Sequence, residues 1–318
     1  MDQEDHKGDS LTAYVGWRKQ IAALNALNPL PYRCLTEDKI LFNMYCEAAG
    51  LPTPEIYGIL DKTGSPAPHL KVFKGVAELE RELQTAGISQ VVLKPVNGTK
   101  GQGVLILDYS VKGGFSDDRG DIVSREKLAS LLEYKYRGVV EHRFLAQRRI
   151  LPHSSTSHLS PNCPLSYRVI TLLDRQGIPS IVSMFAKLAT EGKYFDNIAQ
   201  GGLILGCDDM GKVVFVKHKP EGGRLERKSE FLSKFRSWEL PYYSEVCKLA
   251  LSAAAKFNCL RCVGWDIAVG EDGLWVYEGN NPWGPICQAA SEQGLWKGKF
   301  LEEAESAMKS GPYRPPWW

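Results

Sequence analysis

The feature that most constrains this chain is a β-hairpin pattern in its last quarter. Residues 263–269 and 274–282 are two short, largely apolar runs, and Asp272-Gly273 between them is a strong turn signal. Asp266 lies on the first predicted strand, whereas Glu278 and Asn280 lie two residues apart on the second and therefore share a face. If the strands pair, three oxygen-bearing side chains converge on one side of a sheet.

Such a set of oxygen ligands suits Mg²⁺. This ion takes one or two carboxylates and completes its coordination with water and nucleotide phosphates. Ordinary polar residues at strand ends would give the same pattern, so the hairpin alone leaves both interpretations open.

A glycine-rich loop between two other predicted strands favours phosphate binding. Residues 97–103 read Asn-Gly-Thr-Lys-Gly-Gln-Gly, between apolar runs at 91–95 and 104–107. Glycine lets the backbone approach a ligand and turn its N–H groups onto phosphate oxygens, and Lys94 adds a positive charge. A flexible hairpin loop would have a similar composition. The loop is neither a Walker A motif nor a dinucleotide fingerprint, because it lacks the Lys-Ser/Thr spacing and precedes a strand.

Composition excludes several other classes of protein. The 318 residues are 43% hydrophobic and 24% charged, and the net charge of +2 gives no case for nucleic acid as a partner. No apolar run approaches the roughly 20 residues of a membrane span. The charged first ten residues do not resemble a signal peptide. Eight scattered cysteines fit reduced thiols, so we expect a cytoplasmic protein.

The remaining pattern predicts an α+β protein. Helical periodicity or helix signals occur at residues 11–27, 36–49 (with Thr36 as N-cap), 76–86, 124–134, 242–257 and 298–308. Strand patterns occur at residues 56–60, 69–73, 91–95, 104–107, 138–141, 166–173, 178–188 and 213–216. Because strands and helices do not alternate regularly, we expect antiparallel sheets with helices on one face. Residues 109–121 predict a surface loop, and residues 152–164 predict a mobile one.

Together, these motifs resemble the ATP-grasp superfamily. The resemblance covers about residues 35–285 and rests on Lys39 at a helix start, Gly-Leu-Pro-Thr-Pro at 50–54, Lys94 with the glycine loop, Val-Val-Glu at 139–141, and Asp266 with Glu278 and Asn280. The middle of the chain is most similar to the sugar-transfer-associated ATP-grasp family, through Ser-Tyr-Arg-Val at 166–169, Asp196-Asn197 and Gly201-Gly202.

The resemblance implies an ATP-grasp fold of two α+β lobes that clamp ATP. We expect an N-terminal tail and helix at residues 1–35, a first lobe with the phosphate loop at 36–140, and a second lobe with the metal site at 141–318. A short helical segment stands where typical members carry a separate N-terminal domain. That difference leaves room for a homodimer, a partner protein or a carrier-bound substrate.

The resemblance also implies a role for each matching residue. Lys39 and Lys94 would contact ATP phosphates, and Arg168 and Lys187 would be catalytic, facing the transferred phosphate. The phosphate loop would use Gly98, Thr99, Lys100, Gly101 and Gly103. The adenine hinge would begin at Glu141 and include His142 and Phe144. One or two Mg²⁺ ions would be held by Asp266, Glu278 and Asn280.

The implied activity is an ATP- and Mg²⁺-dependent ligation. ATP would convert a small-molecule or carrier-bound carboxylate to an acyl phosphate, and an amine would displace phosphate from it. A phosphotransferase acting on a hydroxyl and a non-catalytic ATP-binding subunit are the alternatives. A basic run at residues 217–219, with Arg224, Arg227 and Lys228, could attract an anionic acceptor, although a solvated surface is the simpler explanation.

Overall fold

The computed structural model describes residues 11–64, 67, 69–98, 101–136, 139–190, 194, 196, 201–220, 223–235 and 238–310. The α-helices are α1 (Trp17–Leu27), α2 (Cys34–Glu37), α3 (Lys39–Ala48), α4 (Val76–Ala86), α5 (Arg125–Leu131), α6 (Ser154–Ser157), α7 (Ser229–Phe235), α8 (Tyr243–Lys256), α9 (Ile286–Ser291) and α10 (Gly298–Lys309). The strands are β1 (Ile56–Leu60), β2 (Val72–Phe73), β3 (Gln90–Pro95), β4 (Leu105–Ser110), β5 (Gly114–Ser116), β6 (Ile122–Val123), β7 (Tyr134–Tyr136), β8 (Val139–Glu141), β9 (Phe144–Gln147), β10 (Ser166–Leu173), β11 (Pro179–Leu188), β12 (Leu203–Cys207), β13 (Val213–His218), β14 (Glu226–Arg227), β15 (Cys262–Gly270) and β16 (Gly273–Asn280).

The first sheet has the strand order β2-β1-β9-β3-β4-β5-β6. Strands β1 and β2 are parallel, and the other neighbours are antiparallel. Helix α4 covers one face, where Val91 and Leu93 of β3 belong to the same buried apolar cluster as Leu79 and Leu83 of the helix. Side chains alternate along a strand, so Lys94 lies on the opposite, uncovered face.

The second sheet has the order β14-β13-β12-β11-β10-β15-β16, and all of its neighbours are antiparallel. One face is apolar along its length. There Tyr167 and Val169 of β10 and Trp265 of β15 pack in one cluster with Val246 and Ala250 of α8.

The other face of the second sheet is divided between two environments. At one end, helices α1, α9 and α10 cover Ile170, Leu172 and Phe185, which are all buried. Two residues further along the same strands stand Arg168 and Lys187, which therefore share this face. The helices cover the apolar half of this face, and the charged half begins where their cover ends, with Arg168 still 4.0 Å from Cys287 of α9.

The predicted α+β class is confirmed, but several local predictions are wrong. Helix α3 begins at Lys39, and its N-cap is Asp38, whose carboxylate accepts hydrogen bonds from the N–H groups of Ile40 and Leu41. Thr36 lies earlier, in α2. Residues 109–121 are not a loop throughout, because they include the end of β4 and all of β5.

Residues 152–164 are also more ordered in secondary structure than the prediction of a mobile loop. They contain α6, and Thr156, Ser160 and Cys163 are buried. The Ser160 hydroxyl donates to the carbonyl of Cys163 at 2.7 Å. Small polar residues are common in loops, which is why this segment predicts a loop. A hydroxyl with a hydrogen-bond partner can nevertheless be buried at little cost, as Ser160 is here.

The division into segments 1–35, 36–140 and 141–318 stays a prediction. Strand β9 belongs to the first sheet although it follows residue 140, and α1 packs on the second sheet. Strand β12 has no counterpart among the predicted strands. In the described ranges, no helix is long and apolar enough to cross a membrane, and all eight cysteines are free thiols.

Candidate active site

The predicted hairpin at residues 263–282 forms and brings its three oxygen-bearing side chains together. Strands β15 and β16 pair antiparallel, with Asp266 opposite Glu278 and Gly264 opposite Asn280. The Asn280 amide donates to the carbonyl oxygen of Gly264 at 3.2 Å and to Oδ2 of Asp266 at 3.4 Å. With its amide nitrogen used in this way, the carboxamide oxygen of Asn280 is the end left to accept a cation.

Asp266 is the centre of a buried charge cluster. Arg168 on β10 pairs with it bidentately, with Nε 2.7 Å from Oδ1 and Nη2 2.8 Å from Oδ2. Lys187 on β11 places its Nζ 3.3 Å from the same Oδ1 and 3.5 Å from a carboxylate oxygen of Asp196. Both Asp266 oxygens are therefore shared among cationic and amide donors.

The charges in this cluster stabilise one another against burial. Burial raises the pKa of the Asp266 carboxyl, but Arg168 and Lys187 outweigh that effect and the net pKa is lowered. Burial likewise lowers the pKa of Lys187, but Asp196 and Asp266 outweigh it and the net pKa is raised. All three groups are therefore charged at neutral pH.

Lys39 and Lys94 lie close to each other, and Lys94 interacts electrostatically with Glu278 of the hairpin. Lys39, at the start of α3, donates from its Nζ to the carbonyl oxygen of Gly98 at 3.1 Å. Burial and the charge of Lys39 lower the pKa of Lys94 to about 8, against the opposing effect of Glu278. Lys94 is thus a half-buried cation between a lysine and a carboxylate, close to half-protonated at mildly basic pH.

The predicted phosphate loop is partly described. Gly101 and Gly103 adopt φ values of +67° and +73°, in the left-handed region that glycine tolerates. Gly98 accepts the bond from Lys39. Thr99 and Lys100 lie outside the described residues, as does Asn197 of the predicted Asp-Asn pair.

The predicted adenine hinge does not coincide with the segment that joins the two sheets. The main chain of Phe144 is paired inside the first sheet, with Leu60 on one side and Pro95 on the other. His142 lines a cavity with Leu60 and Leu132, on the helix-covered side of that sheet. Glu141 accepts a 2.6 Å hydrogen bond from the amide of Asn97 beside the phosphate loop. Burial raises the pKa of Glu141, but hydrogen bonds from Arg143 and Asn97 outweigh it and lower the net pKa.

The chain crosses between the sheets at residues 148–151, directly after β9. The N–H of Arg148 still bonds to Glu55 beside the first sheet, whereas the carbonyl of Leu151 accepts from Glu271 in the β15–β16 hairpin. The guanidinium of Arg149 lies 5.7 Å from the ring of Tyr194 and 3.6 Å from Asp108. The sequence patterns do not predict that the chain crosses between the sheets here.

Lys217, the first residue of the basic run at 217–219, is buried and not solvated as the sequence predicts. Its side chain is only 3% exposed, and its Nζ lies 2.6 Å from the carbonyl oxygen of Ala289 and 3.0 Å from Glu292. Glu292 also pairs with Arg227. Because its charge is neutralised inside the protein, Lys217 ties β13 to the end of α9 and is not free to attract an anion.

The donor set fits a hard divalent cation. Within the described residues no three His, Cys, Asp or Glu side chains cluster as metal ligands. The hairpin register instead gives a mixed candidate set, the carboxylates of Asp266 and Glu278 and the amide oxygen of Asn280. Two carboxylates and one amide match the preference of Mg²⁺ for a few protein oxygens. Asp266 would share its oxygens between the ion and the two neighbouring cations.

Comparison with known proteins identifies the family. The sequence model of the family described as sugar-transfer-associated ATP-grasp matches residues 22–303. The chain belongs to this family. Comparison with curated protein sequences finds no match.

Two solved structures show that this ATP-grasp protein has the fold of its superfamily. The biotin carboxylase domain of 2-oxoglutarate carboxylase from Hydrogenobacter thermophilus, a dimer with MgADP, ADP and bicarbonate, is 14% identical with a TM-score of 0.51, over 91% of this chain and 49% of that one. Biotin carboxylase from Campylobacter jejuni, in a β-γ-ATP complex, is 13% identical with a TM-score of 0.51, over 95% of this chain and 54% of that one. The chain spans about half the length of these structures, and at this identity the likeness concerns the fold.

Proposed function

We propose that this ATP-grasp protein is an ATP- and Mg²⁺-dependent ligase that joins a carboxylate to an amine through an acyl phosphate, releasing ADP and phosphate. The observation that carries the proposal is the charge cluster of Arg168, Lys187 and Asp266 on the second sheet, beside Glu278, whose charge acts on Lys94 of the first sheet. Phosphoryl transfer depends mainly on positioning and charge neutralisation, and this arrangement supplies both.

The nucleotide phosphates would lie between the two lobes, with Lys39 and Lys94 as their positive partners. Backbone N–H groups of the glycine loop would cover them, as the left-handed Gly101 and Gly103 favour. Support comes from the two similar structures, which contain MgADP or a β-γ-ATP complex. Residues 148–151, where the chain crosses between the sheets, are our proposed wall for the adenine.

Asp266, Glu278 and Asn280 would hold Mg²⁺, which when bound neutralises phosphate charge and aligns the phosphates for transfer. The chain's own residues would do the rest. Arg168 and Lys187 would bind the carboxylate and the transferred phosphoryl group, because both are anionic. Since the acyl phosphate hydrolyses in water, the lobes and the loop would also exclude solvent.

The two steps balance without a covalent protein intermediate. In the first, a carboxylate oxygen attacks the γ-phosphorus and the bond to ADP breaks. In the second, the amine attacks the acyl carbon, phosphate leaves, and the amine proton passes to the departing phosphate. Cys287 lies near Arg168 but is a poor nucleophile, because burial outweighs the effect of Arg168 and raises the pKa of its thiol.

The experiment is product analysis by mass spectrometry. The protein is incubated with ATP, Mg²⁺ and pooled amino acids, small peptides and sugar acids, beside the Asp266→Asn and Glu278→Gln variants. Glu271→Gln is the matched control, because Glu271 is an exposed carboxylate in the turn of the same hairpin. A ligase yields ADP, phosphate and a product lighter than its two substrates by one water, in the wild type and the control only.

Other products would redirect the assignment. A phosphorylated acceptor with no free phosphate would favour the phosphotransferase alternative. Nucleotide binding without turnover on any pool would favour a carrier-bound acceptor or a non-catalytic subunit. Failure of the wild type to bind ATP or ADP would refute the nucleotide site itself.

A further inference from the structure

The end of helix α1 is joined to the candidate metal hairpin by one fully buried side chain. Asn28 accepts a hydrogen bond from the N–H of Cys262 at 2.9 Å and donates to the carbonyl oxygen of the same residue at 2.7 Å. Its amide also donates to the side-chain oxygen of Asn281 at 2.8 Å. The N–H of Cys262 fixes which end of the Asn28 amide is oxygen, so both amide hydrogens are used.

Cys262 and Asn281, the two residues that Asn28 contacts, lie at adjoining ends of the strands that carry the candidate metal ligands. Cys262 is the first residue of β15, which carries Asp266, and Asn281 directly follows Asn280 at the end of β16. Asn28 therefore bridges the strands at the end nearest the candidate ligands, and it comes from a helix more than two hundred residues earlier in the chain.

A second buried amide of α1 holds the segment that follows β16. Gln20 donates to the carbonyl oxygen of Trp283 at 3.0 Å and accepts from the amide of Gln288 at 3.1 Å. Gln288 in turn donates to the carbonyl oxygen of Val15 at 2.9 Å and accepts from its N–H at 3.1 Å. The segment after Asn280 is thus tied to α1 at Asn281 and at Trp283.

Packing alone does not require these amides. Ala23, Leu24 and Leu27 already bury the apolar side of α1 against the second sheet and α10. Buried side-chain hydrogen bonds add directionality, because they are met in only a narrow range of geometry. Asn28 and Gln20, which are each fully buried, therefore specify how the strand ends sit relative to α1.

We infer that Asn28 and Gln20 are positioning residues for the metal ligands, and that α1 acts as a brace for Asp266 and Asn280. This inference rests on the proposed function. Neither amide contacts a candidate ligand, so each acts through the strand end that it holds. Partners that bond a ligand directly change metal affinity by about 10–100-fold, and the effect of these indirect contacts should be smaller. The N-terminal helical segment thereby acquires a role in the site.

The test measures the affinity for Mn²⁺, which substitutes for Mg²⁺ and can be detected spectroscopically. Mn²⁺ affinity of the ADP-bound full-length chain is determined by electron paramagnetic resonance, and ADP affinity without metal by calorimetry. The variants are Asn28→Asp, which keeps the shape but removes both amide donors, and Gln20→Met, which tests the second contact if the first variant does not fold. Leu24→Ala is the control, since Leu24 is fully buried on the same helix and makes only apolar contacts with the cluster.

We expect Asn28→Asp and Gln20→Met to weaken Mn²⁺ binding by roughly three- to tenfold, with metal-free ADP affinity unchanged. Hydrogen exchange in residues 262–270 and 278–284 should accelerate in both. Leu24→Ala should lower the urea midpoint and leave Mn²⁺ affinity unchanged. The inference is overturned if the folded amide variants bind Mn²⁺ like the wild type, or if Leu24→Ala weakens Mn²⁺ equally. A wild type that binds neither ADP nor Mn²⁺ would refute the proposed function and the brace with it.

Discussion

Removing the carboxylate of Asp266 should destabilise the protein more than removing either of its cationic partners. Asp266 compensates two buried cations, Arg168 at 2.7 and 2.8 Å and Lys187 at 3.3 Å, and the three side chains are only 10–15% exposed. Breaking a buried pair by deleting one partner costs about 3–5 kcal/mol, because the other charge stays buried without compensation. In Asp266→Asn, Arg168 loses its carboxylate and Lys187 keeps only Asp196.

The arrangement predicts an order among the variants. Asp266→Asn should lower the free energy of unfolding by about 5 kcal/mol. Arg168→Met should lower it by about 3 kcal/mol, since Asp266 retains Lys187 in that variant. The double variant should cost less than the sum by about 2 kcal/mol. Lys62→Met is the matched control: its 3.1 Å pair with Glu133 is about half exposed, so the loss should stay below about 1 kcal/mol.

Urea unfolding followed by circular dichroism measures these values. The loss in free energy of unfolding caused by Asp266→Asn should stay constant from neutral pH down to about pH 5. The lowered pKa means that the stabilisation is complete above the ordinary aspartate pKa of about 3.9 and is lost only as pH falls through the folded value. The reasoning fails if Arg168→Met is more damaging than Asp266→Asn, or if the coupling energy is no larger than that of the exposed pair.

Three further outcomes follow from the charges around the site. ADP affinity without Mg²⁺ should fall by up to about tenfold per pH unit above about pH 8, as Lys94 loses its proton, and Lys94→Arg should abolish that dependence in calorimetry. Glu278→Gln should weaken Mn²⁺ binding to the ADP complex and lower the pKa of Lys94 further, which shifts the same calorimetric profile to lower pH. Lys217→Met should cost about 3 kcal/mol in urea unfolding, because Glu292 keeps only Arg227; a loss typical of a surface lysine would contradict the buried pairing.

The parts of the site that could be predicted from sequence are those set by local geometry. Turn chemistry at Asp272-Gly273 predicted the hairpin, and the structure has it. Uninterrupted pairing from Gly270 and Gly273 would set Asp266 opposite Tyr277, and a β-bulge between Asp266 and Ile267 sets it opposite Glu278 instead, which alternation alone does not predict. Such a hairpin depends on contacts within about twenty residues of chain, which are the contacts that turn type and alternation report.

The point at which the chain crosses between the sheets could not be predicted in the same way. All four residues of β9 are buried, so the strand lacks the alternation that marks a sheet with one solvated face. Its position between β1 and β3 depends on pairing with residues far away in sequence. The family resemblance implies an adenine hinge that begins at Glu141, before β9, and the place of the adenine stays a prediction.

Asn28 shows why a correct local prediction can still miss a function. Next to Pro29, it was expected to end the first helix, and it is the C-cap of α1. The same side chain also bridges Cys262 and Asn281, and no periodicity in residues 11–28 contains that information. Polar residues that end helices are common, so composition gives no reason to single this one out.

The boundary of the candidate site is likewise a tertiary property. Arg168 and Ile170 are two residues apart on β10 and share a face, yet one belongs to the charge cluster and the other to the apolar core. What separates them is where the cover of α1, α9 and α10 ends. Gly264 stands at that border: a Cβ there would come within 3.1 Å of Trp283 on the covered side and 3.4 Å of Arg168 on the charged side. Because Gly264 has no side chain, both Trp283 of the apolar core and the guanidinium-bearing side chain of Arg168 can approach β15 at this point. The border between the core and the candidate site therefore lies at Gly264.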